Sequence, residues 1–91
     1  MRRPAPYDVV MSLAGHDGGK LFMVTGKAGQ RLLLADGRNR KLENPKTKSP
    51  KHVRLVAPGE SAPATDSDVR KTLSLAAAKI AAKEGELLGE R

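Results

Sequence analysis

Glycine-bearing turns at residues 14–19, 26–29 and 36–37 cut the front of this 91-residue chain into apolar runs too short for helices. The first run, Val9-Val10-Met11-Ser12-Leu13, is rich in strand formers. Lys20-Leu21-Phe22-Met23-Val24-Thr25 and Arg31-Leu32-Leu33-Leu34-Ala35 follow at strand length. Asp36-Gly37 is a strong hairpin signal, because both residues tolerate positive φ. Residues 38–42 (Arg-Asn-Arg-Lys-Leu) are too charged for a central strand and predict a short charged edge. Residues 43–50 hold two prolines and read as an irregular basic loop. Val53-Arg54-Leu55-Val56 alternates apolar and basic residues, as a half-buried last strand does. About five short strands at roughly ten-residue spacing predict a mainly β fold, a small barrel or sandwich, and argue against βαβ units.

The rest of the chain changes character. Residues 1–6 carry two arginines and two prolines and read as an extended arm. Residues 57–65 read as a linker, and residues 66–84 predict a C-terminal helix, leaving residues 85–91 as a tail. Thr65 or Asp66 can cap the helix, and Asp68 suits its positive end. Val69, Leu73, Ala76, Ala77 and Ile80 recur at helical steps as one apolar stripe, and Gly85 is expected to end or fray the helix. Helices this short are marginal in water, so the stripe is expected to pack on the strand domain.

Leu, Ile, Val and Phe make up 19 residues, and the aromatics are one Tyr and one Phe, so any core is small and aliphatic. The chain has no cysteine, which removes disulfides, thiolate catalysis and cysteine-ligated zinc. No apolar run approaches the length that spans a bilayer, and no signal-peptide pattern follows the Met-Arg-Arg-Pro start; a cytoplasmic protein is expected.

Charge is more telling. Residues 1–54 hold twelve basic and four acidic side chains, whereas residues 55–91 hold five and six. A basic front and a balanced rear point to a polyanion as the partner of the front.

Catalytic readings fail on spacing. Gly15-His16-Asp17-Gly18-Gly19-Lys20 has one residue too few between its glycines for a phosphate loop, and Leu21 replaces the metal-binding Ser or Thr. Gly26-Lys27-Ala28-Gly29 matches the short clamp of KH domains, but it joins two strands here rather than two helices. His16 and His52 have neither a nucleophile signature nor enough further ligands for a zinc site. No enzymatic activity, metal or cofactor is expected.

The basic stretch speaks for binding. Arg38, Arg40, Lys41, Lys46, Lys48, Lys51 and Arg54 face Glu43 alone over residues 38–54. Lysines on a proline-stiffened loop suit phosphate contacts, which position a protein without reading sequence. Engaging about four to six phosphates gives a log–log salt slope of roughly −3 to −5 on RNA. With Tyr7 and Phe22 the only aromatics, recognition of backbone shape is expected over base stacking.

The run from Val9 through Gly15-His16-Asp17-Gly18-Gly19-Lys20 to Val24 resembles a KOW motif, two strands paired around a glycine turn. Its continuation, Leu32-Leu33-Leu34-Ala35-Asp36-Gly37 followed by Arg40-Lys41-Leu42 and the stretch from Asn44-Pro45 to Lys51-His52, is similar to one branch. That branch is the KOW-containing large-subunit ribosomal proteins of archaea and eukaryotes, with small bacterial relatives described as KOW-domain RNA-binding proteins. The resemblance covers residues 7–56 and departs from the pattern at Asp8, where a glycine is usual. It implies an SH3-like β-barrel over 7–56 that binds ribosomal RNA through the motif loop and adjoining basic surface. The RNA-binding residues expected are Gly15, His16, Gly18, Gly19, Lys20, Lys27, Arg38, Arg40, Lys41, Lys46, Lys48, Lys51, His52 and Arg54. The expected function is ribosome-associated RNA binding, with the C-terminal helix open to a protein partner and no membrane partner. The alternative is a KOW module that docks a protein of the transcription or translation machinery.

Overall fold

The computed structural model describes residues 4–59 and 61–89, with side chains of the C-terminal helix described as far as residue 82. Strands β1 (Val9–Ser12), β2 (Leu21–Ala28), β3 (Arg31–Ala35), β4 (Lys46–Lys48) and β5 (Val53–Ala57) form one antiparallel sheet in the order β4-β3-β2-β1-β5. A 3-10 turn, Pro50–His52, joins the two edge strands, and helix α1 (Asp66–Gly89) follows β5. The ladder is open, with β4 and β5 at its edges, so the main-chain bonding forms a sheet and not a closed barrel.

Directly opposed residues of an antiparallel pair share a face. Val10 lies opposite Phe22 and Leu55, and Ser12 opposite Val53. Val10, Phe22, Val53 and Leu55 join Val24, Leu32 and Leu34 in the core on one face. The other face carries Val9, Met23 and Ala35, all buried. Helix α1 packs there against β2, with Ala76 and Thr72 beside Val9, Met23 and Ala57. Val69 and Ala76 are buried, while Leu73 and Ile80 are half-buried. Burying Val69 fully is worth roughly 1.5–3 kcal/mol, which offsets part of the cost of ordering the helix. Ala77, expected on the stripe, faces solvent because it lies one helical step beyond Ala76.

The helix starts on a reciprocal cap. Asp68 N–H donates to Thr65 Oγ1 at 3.2 Å, and Thr65 N–H donates to Asp68 Oδ2 at 3.3 Å. Thr65 is therefore the cap, which frees Asp66 to accept the Leu42 N–H at 2.8 Å. Arg70 donates to the Gly37 carbonyl at 2.6 Å. The first helical turn is thus seated on the chain leaving β3. At the seat, Gly37 has φ +78°, and a Cβ there would stand 2.8 Å from Arg70 Cγ. Only glycine fits both the backbone and the approach.

Four expectations need correction. Residues 38–42 are not a strand: Asp36 Oδ1 accepts the N–H groups of Arg38 and Arg40 at 2.8 and 2.9 Å, and this turn holds the segment off the sheet. The fourth strand lies instead at Lys46–Lys48, inside the stretch expected as irregular loop. The helix continues through Gly85 to Gly89, since one glycine costs a helix only about 1 kcal/mol relative to alanine. Strand β2 also runs on through Gly26 to Ala28, accommodated by a register shift between Val24 and Gly26, so that hairpin turns at Gly29 and Gln30. Arg2 and Arg3 of the arm and residues 90–91 of the tail lie outside the described residues. Ahead of β1, Asp8 accepts the N–H of Ala5 at 2.9 Å and of Gly59 at 2.7 Å, clipping the arm to the linker.

Candidate nucleic-acid interface

The motif loop, residues 13–20, is built by its own main chain and by one buried carboxylate. Gly18 N–H donates to the Gly15 carbonyl at 3.2 Å and Lys20 N–H to the Asp17 carbonyl at 3.0 Å. Gly15 and Gly19 take φ of +84° and +89°, which these tight turns require. Asp17 points inward, where Oδ1 accepts the Ser12 hydroxyl at 2.7 Å.

Two lysines complete this cluster. Lys46 lies opposite Leu34 and Lys48 opposite Leu32, so both side chains share the face of the buried leucines. Lys46 ion-pairs with Asp17 Oδ2 and sits 5.7 Å from the centroid of the buried Phe22 ring, within cation–π reach. Lys48 donates to Asp17 Oδ1 and to the Ala14 carbonyl, each at 2.8 Å. Burial of Asp17 works against its charge, but hydrogen bonds from Lys46, Lys48 and Ser12, with the Lys46 charge, outweigh it. They hold the carboxyl well below the usual carboxylate range. The β4 edge is thereby latched to the loop that leaves β1. Lys46 and Lys48 were expected as flexible phosphate contacts; the structure gives both an internal partner.

The remaining expected residues form separate groups. Gly15, His16, Gly18, Gly19 and Lys20 present the exposed rim of the motif loop. Arg38, Arg40 and Lys41 are exposed on the turn that Asp36, Asp66 and Arg70 hold in place. Lys51 and His52 stand exposed on the 3-10 turn, which the Leu13 N–H ties to the motif loop through the His52 carbonyl at 2.9 Å. Lys27 is exposed near the end of β2. Arg54 lies on the outer face of β5, within 3.9 Å of Met11 Sδ.

Among the described residues, none of these exposed cations forms an ion pair with a carboxylate. His16 and Asp17 do not act as a pair, since the carboxylate is turned toward Ser12 and the two lysines. No cluster of three or more potential metal ligands occurs among the described residues. No helix of the described residues is long and apolar enough to cross a membrane.

Reasoning from sequence missed Ser12 and Asp17. Asp17 read as an ordinary turn residue, and its lysine partners lie far along the chain.

No family model matches the chain. No curated protein matches it either.

Proposed function

We propose that the protein binds RNA through its basic loops, by charge and backbone shape, with ribosomal RNA as the expected target. One observation carries the reading: exposed Lys20, Lys27, Arg38, Arg40, Lys41, Lys51 and Arg54 have no carboxylate partner among the described residues. Exposed cations without a carboxylate partner, held on turns and on the strands β2 and β5, are ready to neutralise phosphates and release counterions. Phe22 is 2% exposed and so is closed to stacking, which favours contacts to the backbone over contacts to splayed bases. The KOW resemblance fits the observed order, a strand, a glycine turn and a longer strand, with the motif glycines at the turn. An SH3-like barrel is the finer form of the fold in this reading. The lysine latch supports it, because it draws the β4 edge round to the loop after β1.

The test is crosslinking with RNA sequencing in the native cell, joined to sucrose-gradient fractionation at low and high salt. Discrete ribosomal-RNA crosslinks, co-sedimentation at low salt and release at high salt are expected. Free protein at the top of the gradient with no RNA crosslinks would overturn the reading.

A second reading, a protein-docking module, draws on Leu13 at 54% and Leu75 at 65% exposure. It predicts that Leu13→Ser or Leu75→Ser abolishes ribosome association while Arg38→Ala and Arg40→Ala leave it intact.

A further inference from the structure

Pairing of Leu32 with Lys48 brings two distant pieces of chain side by side at the end of β3. Arg31 immediately precedes Leu32, and Ser49 immediately follows Lys48. Between them lies an open cleft lined by Gln30, Arg31, Ser49, Pro50, Lys51 and His52. Its walls offer a guanidinium, an ammonium, an imidazole, an amide and a hydroxyl, and no carboxylate lines it. None of these side chains has a hydrogen bond or ion pair among the described residues. An adjoining crevice shares Gln30 and Pro50 and adds Lys27. The cleft and the crevice meet at Gln30 and Pro50.

The main chain makes this a fixed site. Gln30 and Arg31 follow Gly29, whose φ is +64°, in the turn between β2 and β3. Lys51 and His52 belong to a 3-10 turn begun by Pro50 and closed by the His52 N–H on the Ser49 carbonyl at 3.0 Å. Ordered main chain therefore stands on both sides of the cleft that these residues line.

We infer that this cleft seats a phosphodiester of the RNA backbone, with Arg31 as its anchor, an inference that rests on the RNA-binding reading above. A guanidinium matches two phosphate oxygens at once, which an ammonium cannot do. Lys51 and His52 line the same cleft and offer the anion further donors. Gln30 and Ser49 supply the neutral donors and acceptors that a ribose 2′-hydroxyl can use. An acidic peptide backbone would supply charge without that hydroxyl, so the neutral lining favours a ribose–phosphate strand.

The experiment is fluorescence anisotropy of the full chain with a short labelled RNA duplex and its single strand, over a series of potassium chloride concentrations. Arg31→Ala is expected to weaken binding about tenfold and to reduce the steepness of the log–log salt dependence by about 1. Arg31→Lys keeps the steepness but binds several-fold more weakly. Lys71→Ala, on the exposed side of α1, changes neither. Thermal melts and amide spectra of each variant report that the fold is retained.

If the wild-type protein binds RNA and Arg31→Ala leaves affinity and salt dependence unchanged, the cleft assignment is overturned while the RNA reading stands. If the wild-type protein binds neither RNA, both fall together. If polyglutamate displaces the RNA at equal charge concentration, the cleft belongs to an acidic protein and the RNA assignment is overturned.

Discussion

Lys48 and Lys51 are close neighbours in sequence, yet the fold treats them oppositely. Lys48 turns its ammonium inward onto Asp17 and the Ala14 carbonyl, and its side chain is 12% exposed. Lys51 stands on the 3-10 turn with no partner among the described residues. The difference follows from position on the sheet: Lys48 faces inward from β4, opposite Leu32, and Lys51 lies past the strand's end. A run of like charges in sequence therefore divides into a structural pair, Lys46 and Lys48, and a surface set. Net charge alone does not reveal that division, because both kinds of lysine count equally toward it.

Removing the structural pair's anion should have the largest effect. Asp17→Ala strips both lysines of their counter-ion and the Ser12 hydroxyl of its acceptor. A fully buried broken pair costs about 3–5 kcal/mol, but Lys46 keeps 25% of its side chain exposed, so a loss of about 2–3 kcal/mol is expected. Urea denaturation measures it directly, and a loss no larger than that of Lys51→Ala would erase the distinction between the two sets.

Gly37→Ala should come next, at about 2 kcal/mol, from the positive φ and the crowding against Asp66 and Arg70. It bears on the comparison because this seat holds the Arg38–Arg40 turn in place. Amide exchange should show Leu42 and the first turn of α1 losing protection, and unchanged protection would contradict the seat.

The latch also sets an acid dependence. The folded Asp17 carboxyl titrates below its unfolded value of about 3.9, so its stabilisation is present above that pH. It is lost progressively as pH falls through about 4 and toward the folded value, where the unfolded chain binds the proton first. Stability measured between neutral and acid pH should fall less steeply in Asp17→Asn than in the wild type. Equal slopes would remove Asp17 as the source.

The smallest stability effects belong to the surface set. Arg40→Ala and Lys51→Ala should each lie within about 0.5 kcal/mol of the wild type while weakening RNA binding.

Much of this architecture could be read from the residues. The strands around Val9-Val10, Phe22-Met23, Leu32–Leu34 and Val53–Leu55 announce themselves by apolar residues between glycine turns, and Thr65 announces the helix. Strand β4 escapes because its inward positions are lysines where the alternation rule looks for apolar residues. Residues 38–42 mislead for a complementary reason. Their dense charge resembles an edge strand, but the Asp36 carboxylate takes two of their N–H groups before a neighbouring strand can. The exposed members of the candidate site are legible as cations in turns. Which cations the fold consumes is set by contacts between Asp17 and residues some thirty positions away, and local patterns do not carry that information.

The most direct measurement is the salt dependence of RNA affinity for the wild type, Lys51→Ala and Lys46→Met, each on the same short RNA duplex. A wild-type slope of roughly −3 to −5 is predicted, flattened by about 1 in Lys51→Ala and unchanged in Lys46→Met, whose Asp17 keeps Lys48. No binding by the wild type, or an equal flattening in both variants, would contradict the division between the latch and an exposed set proposed to bind RNA.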